Sequence, residues 1–161
     1  MSLNDVDSTP DARRGDLGAL INGLELTLRR ALVARFGVEV GVEATRDAVA
    51  WAWEHGEQVV SADNPSGLLF RVAQSKSRRY LRWRRRVDLP PERAHQDLLE
   101  FEPGLHTALQ RLKPDRRTAV VLVHAYRYSY KDAADAIGVP ESTIRNHVHR
   151  GLTQLRDELE N

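Results

Sequence analysis

Between residues 130 and 150 the sequence YKDAADAIGVPESTIRNHVHR leaves room for little but two helices joined by a sharp glycine turn. Ser129 is a strong N-cap, and Asp132 three residues on can reach back to it in a capping-box arrangement. Ala133, Ala134 and Ile137 make the inward side of the first helix. Gly138 ends it, because glycine enters the left-handed conformation of a tight turn without steric cost. Val139 plugs the angle between the helices, and Pro140 and Glu141 open the second. There Ile144 and Val148 lie four residues apart and face the first helix. Glu141, Ser142, Arg145, Asn146 and His149 are left outside. Arginine pairs bidentately with guanine and asparagine with adenine, so this face suits a DNA major groove. An ordinary helical hairpin would also carry a polar face. The small alanines, turn glycine, plug valine and polar face, all at the required spacing, favour a helix-turn-helix.

The rest of the chain repeats the helical period. Leu17, Leu20, Ile21, Leu24, Leu28, Leu32 and Phe36 predict a helix from Asp16 that stops at Gly37. A second is expected from about Val42 to His55, with Ala44, Ala48, Trp51 and Ala52 on one side. Residues 57–63 read as a loop. Asn64 and Pro65 form a strong start signal for a third helix, over 65–86. Its first half is apolar (Leu68, Leu69, Phe70, Val72, Ala73). Its second half is basic, and from Arg71 to Arg86 the helix holds eight cations, Arg71, Lys76, Arg78, Arg79, Arg82, Arg84, Arg85 and Arg86, with no acid among them and with Tyr80 and Trp83 between. The helix dipole favours cations in the last turn alone, so a nearby polyanion accounts better for the whole run.

The charge then reverses. Residues 87–103 hold Asp88, Glu92, Asp97, Glu100 and Glu102 against Arg93, and Pro90 and Pro91 stiffen the start. That composition predicts an exposed linker. Beyond it, Leu105, Ala108, Leu109 and Leu112 predict a short helix, and Ala119, Val120, Leu122 and Val123 a further one over 116–126. Leu152, Leu155 and Leu159 are expected to extend the inner stripe of the recognition helix. The resulting fold class is all-α: a flexible tail over 1–15, a helical domain over 16–86, the acidic linker over 87–103, and a four-helix helix-turn-helix domain over 104–161.

Composition narrows the function. A formal net charge of +1 over 161 residues gives no global basic field, so a nucleic-acid surface must come from local segregation. Cysteine is absent, which excludes disulfides and thiolate metal sites and fits a reducing, cytoplasmic location. No apolar run approaches the roughly 20 residues of a membrane span. The acidic start (Asp5, Asp7, Asp11) is unlike a signal peptide. His124, His147 and His149 are the tempting catalytic residues. His147 and His149 are two apart on a helix, about 200° around its axis, and cannot converge on one metal. No phosphate loop or nucleophile constellation appears. The expectation is a binding protein with no catalytic residue, metal or cofactor.

The segment LKPDRRTAVVLVHAYRYSYKDAADAIGVPESTIRNHVHRGLTQLRDEL resembles the fourth region of bacterial RNA polymerase sigma factors, particularly the short extracytoplasmic-function group. NPSGLLFRVAQSKSRRYLRWRRR is similar to the second region of that group. The likeness spans about 17–159. It implies that Glu141, Ser142, Thr143, Arg145, Asn146, His149 and Arg150 meet a minus-thirty-five element. It implies minus-ten contact through Asn64, Ser75, Lys76, Arg78, Arg79, Arg82, Trp83, Arg84, Arg85 and Arg86. Glu43, Arg46, Asp47 and Ala50 would dock on the clamp helices of the polymerase largest subunit, and the C-terminal domain on the flap. The implied partners are core RNA polymerase, promoter DNA and an anti-sigma protein, with no membrane. Ser75 and Arg79 stand where the group has Asn and Asp, Leu68 where it has Trp, and Arg46 where it has Gln. Two other readings stay open: a free-standing helix-turn-helix regulator without polymerase docking, and a polymerase-interaction module that has lost promoter recognition.

Overall fold

A computed structural model describes residues 10–86 and 104–160, with side chains over 14–82 and 104–160. The described residues build eight α-helices and one π-turn, and no strand. The expected linker over 87–103 and the first nine residues of the expected tail lie outside them.

Helix α1 (Pro10–Phe36) starts six residues before the predicted Asp16, so residues 10–15 are helical and not part of a tail. Proline at a first helical position has its φ already set, and Asp11 follows where the dipole favours an acid. Leu17, Ile21, Leu28 and Leu32 are buried. Gly37, at φ 87°, turns the chain into α2 (Val38–Glu54), four residues earlier than predicted. Ala44, Ala48 and Ala52 of α2 are fully buried. Gly41 lets the backbones meet: a Cβ there would lie 2.6 Å from the Val33 nitrogen.

The predicted loop at 57–63 begins as a short helix, α3 (Gly56–Val60). Val59 is fully buried and pins it. The Ser61 hydroxyl donates to the Glu57 carbonyl at 2.7 Å and satisfies a helix end. Helix α4 (Pro65–Arg86) matches the predicted bounds. Asn64 caps it as expected, its Oδ1 accepting from the Gly67 N–H at 2.9 Å.

In the C-terminal half, α5 (Leu105–Arg111) and α6 (Pro114–Val120) are followed by a π-turn (Val121–Ala125), where the sequence predicts continuous α-helix to about 126. The Tyr126 N–H reaches the Val121 carbonyl, five residues back, at 3.0 Å. The wider turn accommodates Leu122, which is fully buried. Helices α7 (Tyr130–Ile137) and α8 (Glu141–Glu160) complete the fold.

The inner stripe of α8 differs from expectation at two positions. Ile144, Val148, Gly151 and Leu155 are buried, whereas Leu152 and Leu159 are 37% and 41% exposed. At 100° per residue, the 4-3-4 spacing holds one face inward and carries Leu152 off it. Gly151 is there because Val120 crosses close by: a Cβ would meet its Cγ2 at 2.6 Å.

The two expected domains share one apolar cluster. Leu28, Leu32, Ala44, Leu69 and Phe70 belong to it, and so do Leu122, Ala133, Ile137 and Ile144. A smaller cluster of Ala108, Leu112, Val120 and Leu155 sits beneath α5. Polar bonds cross the same seam. Asn64 Nδ2 donates to the Asp135 carbonyl at 2.8 Å, and Ser66 Oγ to the Ala136 carbonyl at 3.2 Å. Arg117 donates to the carbonyls of Ala34 (3.3 Å) and Arg35 (2.7 Å) at the end of α1, where the dipole favours a cation. Arg35 pairs with Asp115, and Tyr128 donates to Thr27 at 3.3 Å. A C-terminal unit too small for a sizeable core of its own thus completes it on the N-terminal half.

Candidate nucleic-acid interface

The helix-turn-helix is capped at both turns. Ser129 Oγ accepts from the Asp132 N–H at 3.0 Å and its hydroxyl bonds the Asp132 carboxylate at 2.6 Å. Gly138 sits in the left-handed region at φ 71°, and the N–H groups of Gly138 and Val139 both bond the Ala134 carbonyl, at 2.8 and 3.1 Å. The Pro140 carbonyl then accepts from Thr143 and Ile144, which sets the start of α8. Two closely satisfied turns fix the direction in which α8 projects.

Ile144 and Val148 anchor α8, and the opposite face is open. Glu141, Ser142, Arg145, Asn146, His149 and Arg150 are all exposed, while Thr143 is half-buried. Ser142, Arg145, Asn146, His149 and Arg150 follow i, i+3, i+4, i+7, i+8 and share one side. Arg145 is held in place: Nη2 donates to Glu141 Oε1 at 2.7 Å, and the guanidinium carbon lies 4.8 Å from the centre of the Tyr130 ring. The sequence reading missed Tyr130. Fifteen residues separate the pair, and no spacing rule joins them. Nearby, Lys131 donates to Asp135 at 2.8 Å, and that bond raises the ammonium pKa above its ordinary value.

The second cationic surface is on α4. Ser66, Leu69, Phe70, Ala73 and Ser77 are buried, with the Ser77 hydroxyl bonded to the Ala73 carbonyl at 2.6 Å. Arg71, Ser75, Lys76, Arg78, Arg79 and Arg82 point outward and are exposed. No described residue forms an ion pair with any of these cations. Tyr80 is 37% exposed. Trp83, Arg84, Arg85 and Arg86 continue the helix, and their side chains lie outside the described residues. Asn64 is not on this open surface. Its side chain is spent on the α4 cap and on Asp135.

On α2, Glu43, Arg46, Asp47 and Ala50 occupy the side away from the alanine stripe. Arg46 and Ala50 are exposed, Glu43 and Asp47 half-buried, and Arg46 pairs with Glu43. Among the described residues no group of three or more His, Cys, Asp or Glu side chains could hold a metal. No described helix is long and apolar enough to cross a membrane.

Residues 104–155 match the model for sigma-70, region 4. The chain is similar to RNA polymerase sigma factors. It is 39% identical over 72 residues to the ECF RNA polymerase sigma factor SigE of Mycolicibacterium smegmatis, covering 45% of this chain and 28% of that protein. It is 28% identical over 120 residues to the RNA polymerase sigma-E factor of Streptomyces antibioticus, covering 70% of this chain and 67% of that one. The chain thus spans between about a quarter and two thirds of the length of these relatives. The fold also resembles that of the sigma factor RpoE of Bartonella quintana, solved with the anti-sigma factor NepR. That likeness has a TM-score of 0.60 at 22% identity and covers 90% of this chain and 97% of the other.

Proposed function

We propose that the protein binds core RNA polymerase and directs promoter-specific transcription initiation. The observation that carries this reading is α8, set by the capped α7 and the Gly138 turn, whose outer face of Ser142, Arg145, Asn146, His149 and Arg150 is uncovered in a sigma-70 region 4 context. These residues, with Glu141 and Thr143, read a minus-thirty-five element in the major groove. Lys76, Arg78, Arg79 and Arg82, with Ser75 beside them, run along the backbone near a minus-ten element, and Trp83 to Arg86 continue that path. Phosphate contacts set affinity and salt dependence; the α8 face sets sequence choice. Glu43, Arg46, Asp47 and Ala50 engage the polymerase clamp helices, and the C-terminal half engages the flap. An anti-sigma protein is a further partner under this reading, in keeping with the complex in which the Bartonella relative was solved. The work is binding and positioning, with no bond chemistry, and it takes place in the cytoplasm.

Run-off transcription tests this. Core RNA polymerase is supplied with the protein over a pool of genomic promoter fragments. Defined start sites that need the protein are the expected result. Specific duplex binding without transcripts would replace the proposal with a free-standing regulator, and core binding alone with an interaction module.

A further inference from the structure

One residue of the helix-turn-helix half holds a backbone conformation that its type disfavours. Among the described residues, positive φ occurs at Gly37, Gly104 and Gly138, and at Arg127, where it is 61°. In that region a Cβ crowds the following carbonyl, a cost that glycine does not carry. The place is one where helix ends ordinarily put glycine: the Tyr128 N–H bonds the Leu122 carbonyl at 3.0 Å and closes the end of the π-turn. Gly138 does the equivalent for α7. The neighbours on either side hold Arg127 in this conformation. The Arg30 guanidinium carbon lies 5.2 Å from the centre of the Tyr126 ring, and Tyr128 donates to Thr27 at 3.3 Å. Both tyrosines are half-buried, and Arg127 between them is exposed. No described residue forms an ion pair with it. Asp132 and Asp135 line the same cleft as Arg127, yet each has another partner, Ser129 at 2.6 Å and Lys131 at 2.8 Å. No internal bond of the guanidinium offsets the strain.

Resting on the proposed function, we infer that Arg127 is a further DNA-binding residue: it grips a backbone phosphate beside the bases that α8 reads, and so fixes the register of α8 in the groove. Strain kept at a single exposed side chain marks a demand on that side chain, since glycine there would remove the strain and keep the turn. The position in the motif says what the demand is. Arg127 precedes Ser129, the N-cap of α7, by two residues and Tyr130 by three, so its Cα lies within about 12 Å of the Tyr130 Cα. The Tyr130 ring in turn carries Arg145, on the reading face of α8. When the second helix of such a motif lies in the major groove, the first crosses the sugar–phosphate backbone. A cation at the entrance to α7 then meets phosphate and not a base edge. A guanidinium takes two phosphate oxygens at once, a contact that sets position and carries no sequence information.

The test uses the full chain assembled with core RNA polymerase, on a duplex promoter fragment recovered by run-off transcription. Arg127→Gly should raise the denaturation midpoint of the chain alone, because glycine takes a φ of 61° without the Cβ cost. The same change should weaken promoter binding about three- to tenfold, the scale of one hydrogen bond to a charged group. The slope of log affinity against log salt should become shallower by about 0.9, and the ranking of base substitutions should not move. Arg127→Lys should keep the wild-type slope. A scan that replaces each phosphate in turn by a neutral methylphosphonate locates the contact. One position flanking the bases that α8 reads should matter to wild type and not to Arg127→Gly. A scan identical for the two proteins would overturn the proposal, as would unchanged affinity and slope, or a lowered denaturation midpoint. A loss confined to affinity for the core enzyme would assign Arg127 to polymerase instead. Where Arg127→Gly does not fold, Arg127→Asn carries the same comparisons, since asparagine also tolerates the left-handed region. If Arg145→Ala relaxes base preference while Arg127→Gly changes nothing, the Arg127 contact alone is excluded. If wild type shows no base preference at all, the initiation reading fails and the contact with it.

Discussion

The Arg145 guanidinium lies over the Tyr130 ring, 4.8 Å from its centre, with Glu141 bonded to Nη2 at 2.7 Å. The first helix of the motif thereby positions an exposed guanidinium on the second, the side chain that the proposed function assigns to base readout. Arg145→Ala should relax sequence choice at one position and cost about 1–3 kcal/mol in specific binding. Tyr130→Ala should cost about 0.5–1 kcal/mol with the same change in preference. Because both act through one side chain, the double variant should lose little beyond Arg145→Ala. Binding titrations on a base-substitution series check this. Additive losses would separate the two residues.

The exposed cations of α4 predict a different response. Arg78, Arg79 and Arg82 replaced together by alanine should weaken binding on every sequence. The slope of log affinity against log salt should fall by about 2–3, since each phosphate that a cation neutralises adds close to 0.9. An unchanged slope would make this face a solvated surface. The preference profile set by α8 should be the same in both proteins.

Stability should be sensitive where backbones meet. Gly41→Ala puts a Cβ within 2.8 Å of three backbone atoms of Leu32 and Val33, which cannot rotate away. The helix-propensity gain of about 1 kcal/mol is outweighed by separation of α1 from α2, for a net loss of about 1–2 kcal/mol. Chemical denaturation of the full chain measures it. Equal or greater stability would show that the pair can slide apart at no cost.

Acid should act on the seam through Asp115. Its hydrogen bond from Arg35 holds the carboxyl pKa below the ordinary 3.8, against a smaller opposing effect of burial. A depressed carboxyl pKa stabilises the fold fully above 3.8, and the contribution is lost as pH falls below that through the folded value. The Asp115 side chain is 60% exposed, so solvent keeps the effect under about 1 kcal/mol. Asp115→Asn should remove that part of the acid dependence below pH 4 and weaken the seam slightly at neutral pH. Denaturation of both proteins from pH 2 to 7 tests it. Parallel curves would leave Asp115 without a role.

The elements that announce themselves in sequence are those with local causes. Gly37, Asn64 with Pro65, Ser129 and Gly138 each act within a turn of their own position, and the structure uses all four where the sequence puts them. The π-turn at Val121–Ala125 leaves no such mark, because one extra residue in a turn changes hydrogen-bond partners and not composition. Leu152 misleads because it is apolar at a four-residue step from Val148, whereas Gly151, with no side chain to betray burial, lies on the true inner face. On the candidate surfaces, exposure of the polar residues of α8 and of the α4 cations through Arg82 followed from their periodicity. Asn64 did not follow, since its second partner is 71 residues away. The acidic composition after Arg86 reads as a boundary, yet the apolar cluster continues across the two halves. Continuity of that kind depends on which faces meet, and periodicity within a single helix carries no record of it.

The alanine stripe of α2 has a consequence for how such a protein can change over time. Ala44, Ala48 and Ala52, with Gly41, lock α2 onto its neighbour through small groups and bare backbone. None of that register depends on Arg46 or Ala50, which lie exposed on the other side. Substitutions on the outward side can therefore accumulate without retuning the helix that displays them. The inward side has no comparable freedom, because any larger side chain there would push α2 off its neighbour.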